Sequence, residues 1–215
     1  TVMVNWTLIA GMLASLGYIL WFMIAKCDKV ERERLGLAVF LIFGAVIFWT
    51  LFDQAGSSLN LFAATNVDLD LVARPVRLLN GAVTLAAPEQ LAAAGIDKAS
   101  TFWINTSFNA AQTQALGSGW LLIFAPVFAA LWTVLTARGI NPNPMVKFGL
   151  SLIQVGAGFL ILLIGDHFAD GAFKMPLIFL VLMYMLHTTG EMCMSPVGLS
   201  QMTKLSPVQI VSFVM

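Results

Sequence analysis

Two acidic residues, Asp53 and Glu191, lie within long apolar stretches of this sequence. Glu191 follows the uncharged run Met175–Thr189, and Asp53 lies inside the apolar run Val39–Phe62. A carboxylate inside bilayer hydrocarbon is costly, so such residues are usually buried against partners or face a water-filled cavity. An acid that gains and loses a basic partner can also bind and release a proton. We therefore expect both acids to face a shared aqueous chamber and to form the chemical centre of the protein.

The residues around Asp53 are spaced so that a continuous helix would place its polar groups on one face. Trp49, Asp53, Gly56 and Asn60 stand at i, i+4, i+7 and i+11, which is the spacing of one helical face. Gly56 and its small neighbours would let another helix approach closely. The alternative to a functional site is a packing face that contains one hydrogen-bonded acid.

A second polar face surrounds Glu191. His187, Glu191 and Met194 stand at i, i+4 and i+7, so one side of a helix would present all three. Pro196 lacks an amide hydrogen and is expected to kink or loosen the helix. Freed carbonyl groups beside a carboxylate would suit the ammonium group of a substrate. His187 itself is interpreted as a packing residue, with a role in proton transfer as the alternative.

The elements that must position these residues are membrane-spanning helices. The chain has 215 residues, of which 59% are hydrophobic and 10% are charged, whereas soluble domains carry about 25% charged residues. Apolar runs of about 20 residues can span the hydrocarbon, and in lipid such runs must be helices. The sequence therefore predicts an all-α transmembrane fold with a sixth helix beginning near Pro207. The five predicted spans are Val4–Ala25, Leu35–Phe62, Ser107–Ala137, Met145–Ile164 and Pro176–Cys193 with its continuation.

The connections between the spans predict the orientation in the membrane. Seven of the 11 Lys and Arg residues fall in Lys26–Arg34, in Arg138–Lys147 and at Lys204. Because cytoplasmic loops carry the excess of basic residues, we expect these three regions to be cytoplasmic. The long loop 68–100 would then lie outside, as short surface helices or as a mobile segment.

The remaining composition excludes several other classes of protein. The net charge is zero, which gives no indication of nucleic-acid binding. Cys27 and Cys193 have neither the spacing of metal ligands nor that of a disulfide framework. The chain starts at Thr1 and stops within an apolar segment at Met215, so we expect it to be part of a longer protein.

Several stretches of the chain carry a family resemblance. The segment 48–62, FWTLFDQAGSSLNLF, and the segment 190–207, GEMCMSPVGLSQMTKLSP, are the most specific. They resemble the seventh and tenth helices of the proton-coupled oligopeptide transporters (POT), the peptide branch of the major facilitator superfamily. The segments 125–132 and 144–148 resemble the eighth helix and the start of the ninth, and 1–34 resembles the linker region of bacterial members.

The resemblance implies a fold and a domain organisation. Residues 1–34 would form a linker transmembrane helix and a charged cytoplasmic loop. Residues 35–215 would form a partial carboxy-terminal bundle, from the seventh helix to the start of the eleventh, with a long outer loop over 63–106. The amino-terminal bundle of the same protein would be a missing partner.

The resemblance also implies roles for individual residues. Asp53 matches the carboxylate of proton coupling, and Glu191 matches the acid that pairs with the amino terminus of a peptide. Trp49 matches a residue that lines the peptide cavity, and Gln114 falls on a polar position of the eighth helix when the alignment is anchored at Pro126. Both are assigned to substrate binding, together with Asn60. Residues interpreted as helix-bending or packing groups are Gly56, Gly190, Ser195, Pro196 and Gly198.

One position departs from the family pattern. Gly117 stands where many members place an asparagine beside the amino group of the peptide. Asn105 or Asn109 could replace that asparagine if the helix register differs.

The implied function is symport of di- or tripeptides with protons by alternating access across the inner (cytoplasmic) membrane. No cofactor is implied besides the coupling protons. A major-facilitator carrier of another solute, such as nitrate or a drug-like molecule, is one alternative. An intramembrane aspartyl protease is another, although its second acid would be an aspartate and not Glu191. A structural subunit without transport activity is the last alternative.

Overall fold

The computed structural model of the protein describes residues 2–79, 82–97, 101–140 and 142–214. Its helices are α1 Val2–Ala25, α2 Lys29–Phe52, α3 Ser58–Asn66, α4 Pro88–Ala93, α5 Ala110–Thr113, α6 Ala115–Ala137, α7 Pro144–Asp166, α8 Leu177–Leu205 and α9 Val211–Val214. Its strands are β1 Val67–Asp68, β2 Val76–Leu78, β3 Val83–Ala86, β4 Trp103–Asn105 and β5 Met175–Pro176. Within these ranges, five helical segments are long and apolar enough to cross a membrane. The prediction of five membrane-spanning segments is therefore confirmed for the described residues, although the second segment has other bounds than predicted.

The predicted continuous helix Leu35–Phe62 is wrong. Helix α2 ends at Phe52, a 3-10 helix covers Asp53–Gly56, and α3 begins at Ser58. Ser57 leaves the helical region with φ −129° and ψ −96°. Gly and Ser are weak helix formers, because glycine loses more backbone freedom and serine hydroxyls compete for backbone groups. The helical period therefore stops at Asp53, and the proposed common face of Trp49, Asp53, Gly56 and Asn60 does not continue into α3.

The break keeps some of its backbone groups hydrogen-bonded locally. The side-chain amide of Gln54 donates to the carbonyl oxygen of Thr50 at 3.2 Å. The backbone N–H of Ser57 donates to the carbonyl oxygen of Gln54 at 3.1 Å. Interruptions of membrane helices are tolerated when side chains and local 3-10 geometry re-satisfy the backbone in this way.

The chain divides into two compact units, of which the first comprises Thr1–Ile47 and Met194–Met215. In this unit the predicted charged loop Lys26–Arg34 is largely helical, because α2 already begins at Lys29. Glu31 accepts the N–H of Asp28, and the Arg32 guanidinium donates to the carbonyl oxygens of Met23 and Ile24. Apolar runs mark only the part of a helix that suits lipid, so hydropathy misses such a charged first turn.

The second unit, Phe48–Cys193, contains the close packing of α7 against α8. A Cβ atom added at Gly158 would lie 2.6 Å from Cδ2 of His187. One added at Gly190 would lie 3.2 Å from the carbonyl oxygen of Ser151. Small residues at membrane helix interfaces allow backbones to approach closely. These two glycines therefore allow α7 and α8 to approach closely at His187 and at Gly190, in the turn that precedes Glu191.

The long outer loop is folded. Strand β2 pairs antiparallel with β3, and β3 pairs parallel with β4. Helix α4 packs beside this sheet with Leu91 fully buried, and Gln90 donates to the Asp70 carboxylate and the Val72 carbonyl group. The outer segment thus has a small sheet that the sequence did not indicate. The dipeptide Asn80-Gly81, which favours a turn, lies outside the described residues.

A second pairing fastens the outer segment to the helices. Strand β1, which follows α3, pairs in parallel with β5, which precedes α8. Val67 and Met175 face each other in this pair, and both are 1% exposed. The end of α3 and the start of α8 are therefore joined through the backbone.

Candidate functional site

Glu191 lies half-buried on α8 and lines a cavity of about 220 Å³. Gln114 and Ser118 at the start of α6 line the same cavity, as do Phe52 and Ala55 at the helix break. No hydrogen bond to the Glu191 carboxylate is found within the described part of the chain. A half-buried carboxylate of this kind can accept a cationic group that enters the cavity.

The cavity also has a polar wall made by α8 itself. Thr188 donates to the carbonyl oxygen of Tyr184 at 2.9 Å and approaches that of Gly117 at 3.4 Å. A Cβ atom added at Gly117 would meet Thr188 Oγ1 at 3.8 Å and Tyr184 Cδ1 at 3.9 Å, which are ordinary contacts. A Cβ atom at Gly117 would therefore fit without a clash, in van der Waals contact with α8.

His187 behaves as a packing residue in this arrangement. It is 1% exposed, and its ring lies 5.1 Å from that of Phe159 and 6.1 Å from that of Phe52, measured between centroids. Its Nε2 atom lies 3.2 Å from the carbonyl oxygen of Val155. Because a carbonyl oxygen can only accept, this nitrogen carries the hydrogen. These contacts favour the packing interpretation over a role in proton transfer.

A hydrogen-bonded group on α7 and α8 flanks Glu191 and was not found from the sequence. The hydroxyl of Thr189 donates to Oε1 of Gln154 at 2.6 Å, and Nε2 of Gln154 lies 3.6 Å from Sγ of Cys193. Thr189 and Cys193 each stand two residues from Glu191. The sequence feature that could have revealed this group is Gln154 itself, the single amide side chain inside the apolar run of α7. Gln154 therefore joins α7 to two successive turns of α8, on the face opposite to Glu191.

The other predicted site residues lie apart from this cavity. Asp53 begins the 3-10 helix and is exposed. Trp49 is 40% exposed and packs edge-on against Phe48 and Phe52. Asn60 is partly buried, and its Oδ1 atom has no hydrogen-bond partner in the described residues. The structure thus brings Glu191 and Gln114 together, whereas Asp53, Trp49 and Asn60 do not line their cavity.

The predicted bending and packing residues behave differently from one another. Gly190 packs tightly against α7, as described above. An added Cβ atom at Gly56 or Gly198 would meet nothing within 4 Å. Ser195 and Pro196 are exposed, and α8 continues through Pro196 to Leu205.

Asn105 and Asn109, the two possible substitutes for the asparagine that Gly117 replaces, lie in other elements. Asn105 ends β4, and Asn109 is the N-cap of α5. Neither residue lines the cavity at Glu191. Their side chains instead accept backbone N–H groups of the outer segment.

Comparison with known proteins identifies relatives of this chain. The sequence model of the POT family matches residues 98–215, which is more than half of the chain. An uncharacterized transporter of Bacillus subtilis, YclF, is 33% identical over 190 residues, covering 88% of this chain and 32% of its own length. The peptide transporter YePEPT of Yersinia enterocolitica is 29% identical over 196 residues, covering 90% of this chain and 32% of its own length. The chain thus spans about a third of the length of these relatives.

A solved structure gives the same result. The crystal structure of a peptide transporter POT in complex with sulfate matches with a TM-score of 0.74 and 28% identity. The match covers 100% of this chain and 37% of the other. Together with the five apolar helices, this likeness confirms the predicted transmembrane helical fold of the major-facilitator type.

Proposed function

Since this chain belongs to the POT family, a family of transporters and not of enzymes, we propose that the complete protein carries di- and tripeptides across the cytoplasmic membrane. Transport is driven by protons moving in the same direction and proceeds by alternating access. This chain contributes the carboxy-terminal bundle and its preceding linker helix, which we divide at residues 34 and 35. The amino-terminal bundle supplies the rest of the substrate site. No cofactor takes part besides the coupling protons.

The observation that carries this proposal is the position of Glu191 in the cavity between α6 and α8. The carboxylate is half-buried and without a hydrogen bond among the described residues, so a cationic ligand would compensate it. A peptide's amino terminus is an ammonium group that combines one charge with several N–H donors. Gln114 adds an amide oxygen on the opposite wall of the same cavity. We assign the binding of the peptide amine to these two residues.

We assign proton coupling to Asp53. Its carboxylate is exposed at the end of α2, next to a helix break that can change its angle. Protonation would weaken a contact between this acid and a basic group of the amino-terminal bundle, which would permit the two bundles to rock. Trp49, one turn earlier, and Asn60, beyond the break, would then contact the substrate only when both bundles enclose it.

A carrier of anions such as nitrate is disfavoured by the same observation. An anionic solute entering this cavity would meet the Glu191 carboxylate and would be repelled. An amine-bearing drug-like solute would satisfy that carboxylate as well as a peptide does. To distinguish an amine-bearing solute from a peptide as the cargo, one can measure whether such amines compete with a dipeptide for uptake.

The test is uptake by the full-length protein in proteoliposomes with an imposed proton gradient. Saturable uptake of dialanine is expected, and Glu191→Gln should raise KM by about tenfold or more, because a hydrogen bond to a charged group contributes about 1.5–3 kcal/mol. Glu89→Gln, at an exposed position of α4, is the matched control and should leave KM unchanged. Equal effects of both substitutions would contradict the assignment of Glu191.

The orientation can be tested with single cysteines in a protein lacking Cys27 and Cys193. We expect Glu89→Cys to react with an impermeant maleimide in intact cells. Arg138→Cys, exposed after α6, should react only after the membrane is made permeable. The reverse pattern would overturn the proposed cytoplasmic location of residues 26–34, 138–147 and Lys204.

A further inference from the structure

We propose that the outer segment carries a second subsite, formed by the side-chain amides of Asn105, Asn109 and Gln112, that binds the carbonyl and carboxylate oxygens of a peptide. These residues line a cavity of about 530 Å³, which is separate from the one at Glu191. The identity of the ligand rests on the proposed peptide transport. The subsite would hold the peptide before it reaches the inner cavity.

The orientation of the three amides follows from their own hydrogen bonds. Oδ1 of Asn105 accepts the N–H of Ser107 at 2.9 Å, and Oδ1 of Asn109 accepts the N–H of Ala111 at 3.1 Å. Oε1 of Gln112 accepts the N–H of Asn109 at 2.7 Å. A backbone N–H can be bound only by the amide oxygen and not by the amide nitrogen. Each side chain therefore has its oxygen engaged and presents its NH2 group.

These NH2 groups form no hydrogen bond within the part of the chain that the structure describes. Each one has two N–H donors and no acceptor. Among the described residues that line the cavity none carries a charge, and Ser107 adds a hydroxyl group. Three donor groups around one cavity suit a ligand with several acceptor oxygens, whether these are neutral carbonyls or a carboxylate.

The peptide is the cargo that offers this chemistry. Its main chain supplies carbonyl oxygens in every sequence, and its end supplies a carboxylate. Leu71 and Phe108 provide an apolar part of the wall, against which a peptide side chain can lie. Binding sites with an apolar wall and a few oriented polar groups are typical of small ligands. A subsite that contacts the main chain would accept peptides of many sequences.

The location of the subsite also fits a binding step that precedes entry of the peptide into the inner cavity. Gln112 belongs to α5 and lines the outer cavity, whereas Gln114, two residues later, lines the cavity at Glu191. Both cavities lie in the unit Phe48–Cys193. A peptide released from the outer amides would therefore have only a short distance to travel to the inner cavity.

The test uses the full-length carrier with the triple substitution Asn105→Asp, Asn109→Asp and Gln112→Glu. Each change keeps the oxygen that accepts the backbone N–H and replaces the NH2 donor by an oxygen. We expect KM for dialanine to rise by about fivefold or more with little change in kcat, because the loss of one net hydrogen bond corresponds to about fivefold. Asn143→Asp is the matched control, since Asn143 also accepts a backbone N–H as the N-cap of α7.

The single change Gln112→Glu is the milder variant, should the triple variant fold poorly, and is expected to raise KM about twofold or more. The acceptor oxygens could belong to the peptide or to the phosphate groups of lipids. Measuring peptide binding to the variants in detergent distinguishes these two sources. An effect that persists without a bilayer supports peptide binding, whereas an effect seen only in liposomes indicates lipid phosphate and overturns the proposal. An unchanged KM in a folded variant overturns the subsite alone. Failure of the unsubstituted carrier to take up dialanine overturns the peptide cargo and this proposal together.

Discussion

The hydroxyl of Thr189 donates to Oε1 of Gln154 over 2.6 Å, and this bond joins α8 to α7 beside Glu191. Gln154 also lies at hydrogen-bond distance from Cys193 on the next turn of α8. One amide side chain thus contacts two successive turns of α8, on the face opposite to Glu191. Rigid support of this kind fixes the direction of a functional side chain.

Removing this support should lower stability. In Thr189→Val the partly buried Gln154 oxygen loses its donor, and we expect the free energy of unfolding to fall by about 1–2 kcal/mol. Thr133→Val is the matched control, because its hydroxyl donates only to Ala129 of its own helix and is exposed. Denaturation of the purified full-length protein measures both. Equal losses in the two variants would show that the bond to Gln154 contributes nothing specific.

The packing of α7 against α8 gives a second prediction. Gly158→Ala would place a Cβ atom 2.6 Å from the buried ring of His187, and such overpacking costs about 1–3 kcal/mol. Gly156→Ala is the control on the same helix, since its Cβ atom would meet nothing within 4 Å. We expect a lower melting temperature only for Gly158→Ala. A normal melting temperature for this variant would mean that the helices separate at little cost.

The space at Gly117 gives a third prediction, which concerns affinity. Gly117→Asn should leave the melting temperature nearly unchanged, because the added Cβ atom makes only ordinary contacts. Its amide oxygen would add a hydrogen bond to a peptide amine at Glu191 and lower KM by about fivefold. Gly117→Leu fills the same space without an acceptor and should raise KM. Uptake measurements on both variants separate the polar effect from the loss of volume.

A fourth prediction concerns pH and the turn between α7 and α8. The N–H groups of Lys174 and Ala172 donate to the Asp170 carboxylate and hold the pKa of this group below its ordinary value of 3.8. A lowered pKa means that the stabilisation of the turn is present above that value and is lost as the pH falls through the folded pKa. Hydrogen exchange at residues 172 and 174 should therefore show protection that decreases with acidification. In Asp170→Asn this dependence should disappear.

The sequence predicted the spanning helices well because their signal is local. A run of apolar residues reflects contact with lipid at each position, so the bounds of α7 follow closely from the sequence, whereas α6 begins later than predicted, at Ala115. The break at Asp53–Gly56 was missed for the opposite reason. The residues on both sides of the break are apolar, so the hydropathy stays high across it. Gly56, Ser57 and Ser58 change the backbone conformation, and hydropathy does not measure this effect.

The candidate site was predicted in part. Glu191 was predicted because a charged residue within an apolar run can be recognised from the sequence alone. Gln154 and Tyr184 were not predicted, since Gln154 bonds to another helix and Tyr184 lines a cavity between helices, and the sequence does not show which helices are neighbours. The three amides of the outer segment were likewise missed as a group. Their common feature is the direction of an NH2 group, which depends on hydrogen bonds that form only in the folded loop.

The pairing of β1 with β5 has a mechanical consequence. Two residues on each strand, one of them a proline without an N–H group, can form very few backbone hydrogen bonds, each worth about 1 kcal/mol net. Val67 and Met175 add a small apolar contact between them. The end of α3 and the start of α8 are therefore joined by a weak pairing, which costs only about as much to break as a few hydrogen bonds.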